Sequence, residues 1–227
     1  MDASRHPGSW NPVQHYQDGA VAEAYDRDRF SCFAGRLFNR LDKRAVRRAL
    51  EGLAPGSVVA DIPCGTGRLA EVALEMGYEV CGIDISPAML EMARNRLARF
   101  GARFTARVAD IRALQAAGQS FDAVLSARFL MHFPLDEQRQ LIRGLARLAG
   151  RRLVLTHGID TAWHRLRRDF KSRFEYFRNP AAFPVSEAEL ASMLREAGFV
   201  ERGRHYVLPG LSEAVAIVAE PNGGEMP

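Results

Sequence analysis

Residues 58–70 read VVADIPCGTGRLA. A short apolar run closes on a carboxylate, Asp61, and Pro63, Cys64, Gly65 and Gly67 follow at once. The run predicts a buried strand, Val58–Asp61, bounded by turn residues. Glycines let a backbone approach a ligand without an intervening Cβ. A helix beginning near Arg68 would turn its free N–H groups toward that ligand. In open parallel sheets the crevice lies at the carboxyl ends of the strands, where strand order reverses. Gly65-Thr66-Gly67-Arg68-Leu69-Ala70 also satisfies GxGxx(G/A), so a dinucleotide remains in play on this loop alone.

Outward from this loop, helix and strand alternate. A helix over Arg68–Met76 stops at Gly77, and Glu79–Asp84 reads as a strand. Ser86 and Pro87 open a helix through Arg99, with serine as N-cap and proline in the first turn. Arg103–Val108, Phe121–Ser126 and Arg152–Thr156 read as strands, and Leu135–Ala149 as an amphipathic helix. Ser186-Glu-Ala-Glu189 is a capping box for a helix ending at Gly198. Two strand-like runs follow, Val200–Val207 and Ala214–Glu220, too close together for a helical crossover and so paired as a hairpin. The fold class is α/β, Rossmann-like: a mostly parallel sheet with a final antiparallel strand and helices on both faces.

The 227 residues suffice for a single domain. Residues 1–51 read as an arm and helical lid, 52–156 as the ligand-binding core, 157–185 as an insertion over the acceptor site, and 186–220 as the final helix and hairpin. No apolar run approaches the roughly 20 residues of a membrane span. The opening residues show no apolar signal core, and Cys32, Cys64 and Cys81 have neither disulfide-framework nor zinc spacing. These features predict a cytoplasmic protein with no metal site. A net charge of +4 tolerates an anionic partner without demanding one.

Three acids stand at three successive strand tips: Asp61, Asp84 in CGIDIS and Asp110 in VADIR. A carboxylate at Asp61 would repel a pyrophosphate but suits an ammonium group. Asp84 is placed to accept both hydroxyls of a ribose, and Asp110 an exocyclic amine. An amine, a diol and an adenine together describe S-adenosylmethionine. Each acid also has a plainer role: strand-end cap for Asp61, helix cap for Asp84, Asx-turn for Asp110. Cys64 reads as a small apolar filler, and Met89 and Met92 as core.

ADIPCGTGRLAEVA, GIDISPAMLEMAR, VADIRAL, FDAVLSARFLMHFP and SEAELASMLREAGF together resemble the class I S-adenosylmethionine-dependent methyltransferases. The resemblance spans roughly residues 45–220 and is strongest to the small-molecule branch that includes the ubiquinone and menaquinone biosynthesis enzymes. It implies S-adenosyl-L-methionine as cofactor, bound at Asp61, Pro63, Cys64, Gly65 and Gly67. Asp84 and Ile85 would lie at the ribose, and Met89, Asp110 and Ile111 at the adenine. Ser126 and Ala127 would lie beside the methionine moiety, with Tyr25 and Arg29 of the N-terminal helix laid over it. Family members carry glycine where Pro63 stands; proline loses an N–H but keeps the carbonyl.

Methyl transfer is an in-line displacement that needs a general base only when the nucleophile must lose a proton. The candidates are His132, after strand four, and His157, after strand five. Residues 161–184, TAWHRLRRDFKSRFEYFRNPAAFP, mix arginines and rings. They fit a lid over an aromatic or anionic small molecule, a surface for single-stranded nucleic acid or anionic lipid, or an ordinary amphipathic helix. The reading favours O- or N-methylation over C-methylation. Its rivals are an NAD(P)-binding oxidoreductase, a non-catalytic S-adenosylmethionine-binding partner and an RNA methyltransferase. Against the last, no (N/D)PP(Y/F) tetrapeptide follows strand four.

Overall fold

The computed structural model describes residues 31–114, 119–159, 183–209 and 212–223. Helix α1 (Phe33–Leu50) leads into β1 (Val58–Asp61), α2 (Ala70–Glu75), β2 (Glu79–Asp84) and α3 (Pro87–Leu97). β3 (Phe104–Val108), the short α4 (Ile111–Leu114), β4 (Phe121–Ala127) and α5 (Leu135–Leu148) follow. The chain continues through β5 (Ala149–Gly158), α6 (Glu187–Glu196), β6 (Phe199–Tyr206) and β7 (Ala214–Pro221).

The seven strands form one sheet in the order β3-β2-β1-β4-β5-β7-β6. β1 to β5 pair in parallel, and β7 is antiparallel to both its neighbours. The chain winds from β1 out to β3 and then crosses to β4 on the other side of β1. Strand order therefore reverses between β1 and β4, and the crevice opens at their carboxyl ends.

Successive strand residues feed opposite faces. Ala60, Val124, Leu155 and Ile217 pack with Leu141 and Leu145 of α5 and Met193 of α6. Val59, Leu125, Val154 and Ala216 pack with Val46 and Leu50 of α1, Val72 of α2 and Leu90 of α3. Both faces are thus covered, which is why the parallel strands read as near-continuous apolar runs.

The hairpin forms as expected, but its second strand lies inside the sheet rather than at the edge. Val215, Ala216 and Ile217 of β7 are fully buried and tolerate cover on both faces. β6 carries Glu201, Arg202 and Arg204, is bulged between Glu201 and Gly203, and takes the edge. Three boundaries differ from the sequence reading. α2 begins at Ala70, because Thr66–Leu69 are spent on the turn. α3 ends at Leu97 and passes into a 3-10 stretch, Ala98–Arg103, broken at Gly101. β5 runs to Gly158, because β7 pairs through His157↔Val215 and Gly158↔Ala214. Of the predicted N-terminal helix the described part is α1; Tyr25, Arg29 and most of 157–185 lie outside the described residues.

Candidate functional site

Strand register places the acids. Asp61 is level with Gly82 of β2, Asp84 is two residues beyond it and level with Val108 of β3, and Asp110 two beyond that. Each acid therefore stands one step further along a staggered set of strand tips. A cleft of about 880 Å³, part of it open to solvent, lies over β1, β2 and β4. Asp61, Pro63, Cys64, Gly65, Asp84, Ile85, Met89, Ala127 and His132 all line it. A smaller cavity continues past Pro63, Asp84, Ile85 and Phe129 to Asp110 and Ile111. The three acids border these two adjoining cavities, with Asp84 lining both.

The glycine loop is held by its neighbours. The Ile62 amide donates to Leu125 O of β4 and the Cys64 amide to Ile83 O of β2, both at 2.8 Å. Pro63 sits between these two bonds, joined to Ile62 by a cis peptide, so its missing N–H interrupts neither. Gly65 has φ 53°, and nothing lies within 4 Å of where a Cβ would stand, consistent with a backbone bared for a ligand. Its amide donates to Asp84 Oδ2 at 2.8 Å, and the Ser86 amide to Asp84 Oδ1 at 2.9 Å. Ser86 caps α3 through its hydroxyl, bonded to the Met89 amide. Asp84 thus braces the loop and keeps lone pairs for a ligand, since each carboxylate oxygen accepts more than one bond.

Burial dominates the electrostatics. It pushes the Asp61 carboxyl well above the usual carboxylate range, with the Arg68 guanidinium pulling partly the other way. Asp61 Oδ2 is buried without a hydrogen-bond partner among the described residues. A cation or donor arriving there would meet an acceptor already stripped of water. Asp84 is also raised by burial, opposed by the amides of Ser86, Gly65 and Ile85. Burial and the two nearby carboxylates push the Cys64 thiol up, which suits a filler and not a nucleophile.

Three predicted site residues do not reach the cleft. Gly67, with φ 76°, would place a Cβ 2.8 Å from Leu97 Cδ1 and 3.1 Å from Ala93 Cβ, so it seats the loop on α3. Ser126 is 1% exposed at a strand position paired with Leu155, and its Oγ has no partner among the described residues. His157 lies inside β5 instead of beyond its tip and is 2% exposed. Gln138 Nε2 donates to Phe133 O at 2.8 Å and to Phe183 O at 2.9 Å, which turns Oε1 toward His157 Nε2 at 2.9 Å. His157 Nδ1 lies 2.9 Å from Gly158 O, and burial lowers the ring's pKa. His157 ties β5 to α5 and, contrary to the sequence reading, does not line the cleft. His132, on the 3-10 turn Leu130–His132, is the histidine that lines the cleft.

The sequence reading missed Thr66, Arg68, Leu69, Arg128 and Phe129, all of which line the cleft. Arg68 is locked to Asp42 of α1 at 2.6 Å and to Asn39 at 2.8 Å, both on the helix that covers this face. Thr66, Arg68 and Leu69 lie inside the opening motif itself. Arg128 and Phe129 directly follow Ala127, but no local pattern announces their orientation.

Residues 59–150 match the family model described as a methyltransferase domain. A magnesium-protoporphyrin O-methyltransferase of Synechocystis is 29% identical over 66% of this chain and 65% of its own length. A ubiquinone biosynthesis O-methyltransferase of Sinorhizobium medicae is 36% identical over 55% of this chain and 46% of its own. A probable tRNA methyltransferase 9B of Homo sapiens is 28% identical over 76% of this chain and 37% of its own. The chain thus spans less than two thirds of the length of these relatives. Among solved structures, the Synechocystis magnesium protoporphyrin IX methyltransferase with bound SAH superposes with a TM-score of 0.70 at 23% identity. The match covers 90% of this chain and 100% of the other. That likeness is one of fold. The matched residues, 59–150, run from β1 through β4 with the glycine loop and the three acids, so the family match falls on the crevice itself. No helix among the described residues is long and apolar enough to cross a membrane, and none of their His, Cys, Asp and Glu side chains cluster as a metal site.

Proposed function

We propose that the protein transfers a methyl group from S-adenosyl-L-methionine to an oxygen or nitrogen of a small-molecule acceptor in the cytoplasm. The observation that carries this reading is the crevice at the β1–β4 reversal, bordered by Asp61, Asp84 and Asp110. Asp84 accepts from the ribose hydroxyls, and buried Asp61 faces the ammonium of the amino-acid end. Asp110 and Ile111, in the smaller cavity, hold the adenine. Ile85 and Met89 supply apolar wall between them. Bound there, the cofactor supplies an activated methyl group on a good leaving group. The protein's part is then to align the acceptor and exclude water. His132 lines the same cleft and is the residue placed to take a proton from an acceptor hydroxyl or amine.

The family match and the O-methyltransferase relatives support this assignment over a dinucleotide oxidoreductase. So does the charge at the loop, since a pyrophosphate at Gly65 would lie against Asp84 and close to Asp61. Thermal-shift titration separates the two: S-adenosylhomocysteine raises the melting temperature and NAD leaves it unchanged. Stabilisation by NAD alone would overturn the assignment. The tRNA methyltransferase relative supports a second reading, an RNA acceptor. RNA affinity falling steeply with salt would favour it over a small molecule.

A further inference from the structure

α1 carries two sets of cations, and the fold treats them differently. Lys43 and Arg47 reach α2, where Glu71 and Glu75 meet them at 2.6 and 2.9 Å. Arg36, Arg40, Arg44 and Arg48 follow one another at four-residue spacing and are all exposed. That spacing lines them along one ridge, about 18 Å from first to last at the helical rise. Arg40 and Arg44, at its centre, make no hydrogen bond or ion pair among the described residues. No acid of α1 shares the ridge, since Asp42 is buried on the inner face against Arg68.

The same ridge ends in two exposed apolar side chains. Phe33 is 74% and Leu37 42% exposed, one turn apart and interleaved with Arg36 and Arg40. They stand at the cleft end of the helix. Phe38, next to Leu37, lies under the Arg128 guanidinium on the cleft wall, 5.1 Å from ring centroid to Cζ.

An arginine ridge tipped by a ring and an aliphatic chain complements an anionic lipid surface. The arginines meet headgroup phosphates, and the apolar pair enters the acyl boundary. A single-stranded RNA would use the arginines and the ring, but Leu37 has no π-face on which a base can stack. We infer that the outer face of α1 docks on an anionic bilayer. The inference goes beyond the methyl-transfer reading and does not depend on it. Docking by this face brings the cleft end of α1 to the lipid surface.

Co-sedimentation with vesicles tests it, using phosphatidylcholine alone and an equimolar mixture with phosphatidylglycerol. Wild type should bind the mixed vesicles and not the neutral ones, and should lose affinity as salt rises. Arg40→Glu with Arg44→Glu should weaken binding about tenfold or more, since each basic side chain near the surface adds to the attraction. Phe33→Ser with Leu37→Ser should weaken it as well, including at salt concentrations that screen the arginines. All four side chains are exposed, so both double variants should keep the wild-type melting temperature. The inference requires both losses: either double variant binding the mixed vesicles as tightly as wild type overturns it, because the lipid contact then lies elsewhere. Wild type that ignores the mixed vesicles overturns it too. Polyuridylate is the rival probe. Wild type that binds it and not the vesicles, with that affinity lost in the arginine variant, assigns the ridge to RNA and contradicts bilayer docking.

Discussion

The Gly65 amide donates to Asp84 Oδ2 across 2.8 Å, tying the glycine loop after β1 to the tip of β2. One carboxylate therefore both shapes the loop and faces the cleft that the loop borders. Asp84→Ala is expected to weaken S-adenosylhomocysteine binding by one to two orders of magnitude, at about 1.4 kcal/mol for each. Affinity for 5′-methylthioadenosine should fall in parallel, since it keeps the ribose. Calorimetry checks both, and a loss confined to S-adenosylhomocysteine would move Asp84 away from the ribose.

Asp61 sets a pH dependence whose sign follows from its burial. Its folded-state pKa is raised, chiefly by desolvation. Between the ordinary carboxylate range and that raised value, the folded protein holds a proton that the unfolded chain has released. The group's contribution to stability is therefore best at low pH and declines as pH rises through this window. An ammonium-bearing ligand prefers the ionised form, so S-adenosylhomocysteine affinity should rise with pH across the same window, with proton release on binding. Calorimetry in buffers of different ionisation enthalpy reads the released proton. Asp61→Asn should abolish the slope, and a slope that survives the substitution assigns it to another group.

Gly67→Ala tests the seating of the loop. The new Cβ meets Leu97 Cδ1 at 2.8 Å and the Ala93 backbone at 3.2 Å, at a φ of 76°. Strain and overpacking together predict a loss of about 2–5 kcal/mol in stability. Urea denaturation measures it. A midpoint equal to that of wild type would mean that α3 yields more easily than its contacts imply.

Asp42→Ala tests the clamp between α1 and the cleft wall. The Asp42 and Arg68 side chains are 2% and 11% exposed, at 2.6 Å. Removing one partner of a buried pair costs up to about 3–5 kcal/mol; Arg68 keeps its bond to Asn39 and its attraction to Asp61, so the loss should fall toward the lower end. Replacing both, Asp42→Leu with Arg68→Met, should restore much of that stability. A double variant no better than the single one would show that the clamp contributes through geometry that apolar side chains cannot replace.

What was legible in the sequence was local. Asp61 and Asp84 close their own strands and Asp110 stands two residues past Val108 of β3, and the parallel register then fixes their stagger. The Ser186 capping box needs only four residues, and it forms, with Ser186 and Glu189 bonding each other's backbone amides. Contacts between distant segments were not legible. Arg68 meets Asp42 across 26 positions, and neither residue's surroundings announce the other. His157 was misplaced for a specific reason. Its apolar run stops at Thr156, but pairing with β7 carries the strand two residues further and draws the ring beneath α5. The left-handed turn at Arg128 had no signal, because that conformation is ordinarily marked by glycine.

A crystal structure with S-adenosylhomocysteine bound is the most direct measurement. The ribose hydroxyls should lie within hydrogen-bond distance of Asp84, the ammonium on the Asp61 side, and the adenine between Ile111 and the walls beside Asp110. A nucleoside lodged elsewhere, or a dinucleotide with its pyrophosphate against the Gly65 loop, would contradict the assignment.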